Sequence, residues 1–145
     1  MIQITPQMRV LVAVEDTDFR RGIDGLAQQC REALGADPFT GTMFVFRNRR
    51  RTSIKLLVYD GQGFWLCHKR LSQGKFRWWP SREDAASATM PGEASAKPNF
   101  QHTRSTHRTR SVTLRAHELQ VLLCGGDPSG TRPAPVWRPV GASLD

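Results

Sequence analysis

Between Met43 and Trp79 the chain repeats one pattern: a short apolar, β-branched or aromatic run, then a cluster of turn formers. Met43–Arg47 and Ser53–Tyr59 flank Asn48-Arg49-Arg50-Arg51-Thr52. Ser53–Tyr59 and Phe64–Leu71 flank Asp60-Gly61-Gln62-Gly63, and a turn around Gln73-Gly74 leads from Leu71 to Phe76–Trp79. Links this short permit only antiparallel pairing of successive strands. The expectation is a four-stranded antiparallel meander.

Period-two alternation then assigns side chains to faces. With loops of five, four and an even number of residues, Tyr59 faces Phe64, Lys55 faces His68, and Arg70 faces Arg77. One face carries Phe44, Phe46, Ile54, Leu56, Val58, Trp65, Cys67, Phe76 and Trp78. The other carries Val45, Arg47, Lys55, Leu57, Tyr59, Phe64, Leu66, His68, Arg70, Arg77 and Trp79. The first reads as a core, the second as a basic and aromatic surface.

The flanks complete an α+β fold. Arg9–Val14 is almost wholly apolar, which fits a short N-terminal strand covered on both faces. Glu15-Asp16-Thr17-Asp18 reads as a helix start, with Asp16 or Thr17 accepting from orphan N–H groups and the acids facing the positive end of the dipole. Phe19, Ile23, Leu26, Cys30 and Leu34 then form an amphipathic stripe that Gly35 stops. Gly22 and Gly25 inside it each cost about 1 kcal/mol against Ala. Thr113 is a candidate N-cap for a short C-terminal helix over Leu114–Cys124, ended by Gly125-Gly126. The expected organisation is a core domain over residues 1–82, a flexible loop over 83–111, the C-terminal helix against the core over 112–126, and an irregular tail over 127–145.

The net charge of +8 is unevenly spread. Residues 1–42 sum to −2 and residues 83–145 to +1, whereas residues 43–82 hold ten basic groups and only Asp60, a local +9. Such a band attracts polyanions. Arg47, Arg49, Arg50, Arg51, Lys55, His68, Lys69, Arg70, Lys75 and Arg77 are the candidate DNA-contacting residues. Arg can grip phosphate through two parallel hydrogen bonds, and Tyr59, Phe64 and Trp79 could stack on bases.

Patterns for other chemistry are missing. His68, His102, His107 and His117 show no metal-ligand spacing, and no nucleophile elbow or phosphate-binding loop occurs. Glu15, Asp16, Asp18 and Asp24 could suggest a metal-dependent nuclease, but one helix start accounts for them and no second acidic cluster completes a two-metal site. Cys30, Cys67 and Cys124 are widely spaced and read as reduced, mostly buried thiols. No run approaches a membrane span and no secretion signal is visible, so the expected location is the cytoplasm. No catalytic residue, metal, cofactor or small-molecule substrate is expected.

Several stretches together resemble the TnpB accessory protein of the IS66 class of bacterial insertion sequences. They are Thr17-Asp18-Phe19-Arg20-Arg21-Gly22-Ile23-Asp24-Gly25-Leu26, Asp37-Pro38-Phe39, Gly41, and Met43-Phe44-Val45-Phe46-Arg47-Asn48-Arg49-Arg50. Lys55, Asp60-Gly61-Gln62-Gly63-Phe64, Lys69-Arg70-Leu71, Gly74, Phe76, Trp78 and Pro80 extend the match, and Val112-Thr113-Leu114 with Leu119–Leu123 resembles the family's closing helix. The matches cover about residues 5–82 and 111–127 in order. This family is distinct from the RNA-guided nuclease that shares its name. Asp84–Arg110 departs from it as an insertion where members have a short link. The resemblance implies a role in transposition beside a separate transposase. Joined to the basic band and the missing catalytic motifs, it gives the expectation of a non-enzymatic accessory protein that contacts element DNA or the transposase–DNA complex through the basic sheet face. The element's other proteins are further expected partners. An adaptor that binds the transposase without touching DNA is the alternative, with Leu57, Tyr59, Phe64, Leu66 and Trp79 as its surface.

Overall fold

The structure is a computed structural model describing residues 4–87 and 110–131. The chain runs through β1 (Val10–Ala13), α1 (Ile23–Glu32), β2 (Met43–Arg47), β3 (Ser53–Tyr59), β4 (Phe64–Arg70), α2 (Arg82–Ser87), β5 (Ser111–Leu114) and α3 (Ala116–Leu123), then a 3-10 turn at Pro128–Gly130. Most of the expected flexible loop and tail, residues 88–109 and 132–145, lies outside the described residues.

The fold is α+β, with a mixed five-stranded sheet in the order β4-β3-β2-β1-β5. Two antiparallel hairpins, β2–β3 and β3–β4, stand as expected. The fourth meander strand does not. Phe76–Trp79 is not a strand, and its segment bends back across the sheet. Leu71 N donates to Thr52 O (2.9 Å) and Phe76 N to Arg51 O (2.7 Å). The Trp79 indole N–H reaches Ala13 O (2.8 Å). Phe76 and Trp79, three residues apart, are both buried, which a period-two strand would not allow. The remaining sheet positions go to β1, parallel to β2 through α1, and to β5, antiparallel to β1. Val112 and Leu114 point into the core while Thr113 points out, so this segment is strand rather than a helix lead-in. The cap of α3 is Arg115, whose N–H donates to the Glu118 carboxylate (3.0 Å).

The face assignment changes with the first hairpin. Asn48 still pairs with Ser53 (N–H···O 3.2 Å), leaving a four-residue loop, Arg49–Thr52, with Arg51 at φ +58°. Asn48 Oδ1 holds the loop by accepting from Thr52 N (2.9 Å) and Ser53 N (3.1 Å). Phe46 therefore faces Lys55 and Arg47 faces Ile54, one residue off the expected register. A one-residue slip inverts every side chain relative to its neighbour strand. Tyr59–Phe64 and Lys55–His68 pair as expected.

Both faces of the sheet are consequently core. Leu11, Ala13, Phe44, Phe46 and Leu57 pack against Leu26, Ala27 and Cys30 of α1. Val10, Val12, Met43, Val45 and Ile54 pack under Phe76, Trp79 and the α3 residues Leu119 and Leu122. The apolar continuity of β1 follows, since all four of its residues are buried.

Helix α1 is shorter than its stripe. Its N-cap is Gly22, without a side-chain cap, and Asp16 and Thr17 lie upstream in a loop. Thr17 Oγ1 accepts from Gln29 Nε2 (2.9 Å) instead. The stop is as read: Gly35 takes φ +61° and Ala36 N returns to Cys30 O (2.9 Å). Of the three cysteines, all free thiols, Cys30 is buried, Cys67 half-buried and Cys124 exposed. Burial pushes the Cys30 thiol up to about 12.

Candidate nucleic-acid interface

The β2–β3 hairpin tip and the end of β4 meet at one edge of the sheet. The two backbone bonds from Leu71 and Phe76 to the tip tie the Leu71–Phe76 loop against it. Between these walls and Phe19 lies an open cleft of about 560 Å³, with Arg50, His68, Arg70, Asn48, Ser72 and Gln73 among its lining residues and no acid among them.

The ten candidate residues divide into distinct roles. Arg49 and Arg50 are exposed at the tip, His68 and Arg70 at the end of β4, and Lys75 and Arg77 along the return segment. Arg51 is half-buried and its carbonyl holds Phe76. Lys69 points to the other side of β4, where its ammonium donates to Leu123 O at the end of α3. Arg47 lies on the α3 side, its guanidinium 5.9 Å from the centre of the Trp79 ring. Burial, aided by the nearby Arg51 charge, lowers its basicity, and Nε is buried without a hydrogen-bond partner.

Lys55 departs furthest from expectation. It is 7% exposed, and Nζ donates to Phe19 O (2.9 Å) and Arg21 O (3.0 Å), 5.0 Å from the Phe19 ring centre. Its charge anchors the loop before α1. The single basic face uniting Arg47, Lys55, Arg70 and Arg77 is thus not formed: β2 is inverted, Lys55 is buried, and Arg77 lies outside the sheet.

Among the described residues the ion pairs are Arg20–Asp18 and Arg82–Glu15. Neither involves a basic side chain from Arg47 to Arg77, and among the described residues none of these is paired with a carboxylate. Asp60, the one acid of that span, sits at the far end of β3, where Gln62 N, Gly63 N and Trp65 Nε1 hold its carboxyl below the ordinary range. Exposed positive charge therefore collects at the hairpin end, with no carboxylate pairing it among the described residues.

The acids before α1 are arranged differently. Asp18 forms a two-pronged contact with the Arg20 side chain and accepts from Arg20 N (3.0 Å), which together hold its carboxyl down at about 2. Asp16 and Asp18 line a second cleft of about 350 Å³ together with Arg21, Glu32 and Arg110. No group of three or more His, Cys, Asp or Glu among the described residues is placed to hold a metal ion. No helix among them is long and apolar enough to cross a membrane.

Among the cleft residues that sequence reading passed over are Phe19, Asn48, Ser72 and Gln73. Phe19 read as helix core, and the others as turn formers. Only the tying of the two loops brings them beside Arg50 and Arg70.

Comparison with known proteins places this chain in a family. An uncharacterized protein of Sinorhizobium fredii (strain NBRC 101917 / NGR234), y4hO, is 36% identical over 115 residues, covering 77% of this chain and 99% of the relative. A second from the same organism, y4jC, is 40% identical over 95 residues, covering 66% of this chain and 80% of the relative. No solved structure matches the chain. Residues 8–96, which hold β1 through β4 and the cleft, match the model of the IS66 Orf2 like protein family. The chain belongs to that family, the transposase accessory proteins of IS66-class insertion sequences.

Proposed function

We infer that the protein serves transposition without an active site of its own, by holding element DNA, or the transposase–DNA complex, at the hairpin end of its sheet. What supports this is the collection of exposed cations there, Arg49, Arg50, Arg70, Lys75 and Arg77, none paired with a carboxylate among the described residues. Each phosphate contact releases counterions, so affinity falls with salt. Lys55 contributes little, because it is buried and two backbone carbonyls take its ammonium.

Binding to element-end and random duplexes, measured by fluorescence anisotropy across salt, tests the reading. The triple replacement Arg49→Ala, Arg50→Ala and Arg70→Ala flattens the log–log salt slope by up to about three units, near one per lost phosphate. All three side chains are exposed, so the fold survives the change. Absence of binding at micromolar protein, or indifference to salt, sinks DNA contact.

A transposase-facing role has separate support at the opposite end of the sheet. There Phe39, 47% exposed, stands 4.9 Å from Tyr59 and 5.1 Å from Phe64 between ring centres, and Trp65, 52% exposed, lies on the other face of the same end. Exposed aromatics of this kind suit protein contacts. The surface first expected for this role is different, since Leu57 and Trp79 are core. Pull-down with purified transposase after nuclease treatment tests it: capture is lost in Trp65→Ala, and capture unaffected by that change removes this end as the contact.

A further inference from the structure

We propose that the cleft between the hairpin tip and the end of β4 takes an unpaired nucleotide, so that the protein prefers DNA with a single-stranded extension over blunt duplex. This rests on the reading that the hairpin end contacts DNA, and it names the form of DNA. The lining combines two exposed guanidiniums, Arg50 and Arg70, with a pair of rings. His68 and Phe19 stand edge-to-face, with centres 5.6 Å apart and planes at 83°. Cations for the phosphate beside rings for the base are the two elements that single-strand sites share.

Shape favours the unpaired form. A duplex presents its phosphates on a convex surface and keeps its bases stacked inside. A concave site can receive a base only when it has left the stack. At about 560 Å³ the cleft lies within the range of small-ligand pockets. It is also preformed. Asn48 locks the tip from within through Thr52 and Ser53, and the bonds of Leu71 and Phe76 fix the opposite wall to it. Little ordering remains to be done on binding. The polar side chains of Ser72 and Gln73 can meet the edge of the base, and no carboxylate in the lining repels the phosphate.

The test uses the full chain and a 20-base-pair duplex, blunt or carrying a six-nucleotide unpaired 3′ extension, at one salt concentration. The extension tightens binding by about tenfold or more, as expected for stacking of one or two bases. A six-unit abasic extension, which adds phosphates without bases, recovers only a minor part of that gain. In the double variant His68→Ala and Arg70→Gln, both exposed positions, the affinity ratio of extended to blunt duplex falls to about one. Equal affinity for blunt and extended duplexes overturns the proposal while leaving DNA contact in place. So does a full gain from the abasic extension, or a ratio that survives the double variant. Failure to bind any of these DNAs removes both readings together.

Discussion

Replacing Leu119 with Ala lowers the free energy of unfolding by about 2–5 kcal/mol, the range for truncating a fully buried Leu. Leu119 has no exposed surface and lies in the cluster of Val10, Val12, Val45, Ile54, Phe76 and Leu122. It lies on α3, joined to β5 by Arg115 alone, while β5 pairs with β1 along four residues. Residues 111–123 are therefore a structural layer of the core. Urea denaturation reads the effect as a lower midpoint at unchanged slope. A loss under about 1 kcal/mol would mean that α3 does not close the second face of the sheet.

Changing Lys55 to Met separates stability from DNA contact. The ammonium holds the carbonyls of Phe19 and Arg21, and hydrogen bonds to a charged group contribute about 1.5–3 kcal/mol each. Met keeps the apolar stem and removes both bonds but also the desolvation cost of the buried ammonium, so stability falls by less than their sum, about 2–4 kcal/mol. The salt slope for DNA stays unchanged, because this charge faces the loop before α1. An unchanged denaturation midpoint with a flattened salt slope would return Lys55 to the binding surface and overturn its place in the structure.

Lys55 also shows where sequence reading stops. Its place in a strand and its pairing with His68 follow from a two-glycine turn and alternation. Whether its ammonium meets water, phosphate or protein depends on where residues 19–21 pass, 34 to 36 positions away. The first hairpin teaches the same point at shorter range. Five residues separate the two runs, but Asn48 joins the ladder and leaves four in the loop, and that choice reverses β2. Loop composition did not reveal it, since Arg51 occupies a left-handed conformation more common for Gly or Asn.

Local chemistry alone determined much of this protein. Three strands with the register of the β3–β4 hairpin, the amphipathic helix with its stop at Gly35, the strand Val10–Ala13 covered on both faces and the +9 band all follow from turn residues, periodicity and composition. Those signals act within a few residues, where backbone sterics and side-chain alternation dominate. The tertiary structure alone decided which segment lies beside β1, that Phe76–Trp79 packs as a strap, and that Arg50, His68 and Arg70 share a cleft with Phe19. These outcomes depend on burying both faces of one sheet at once. That requirement is set by the whole core, and no single segment carries it in its own residues.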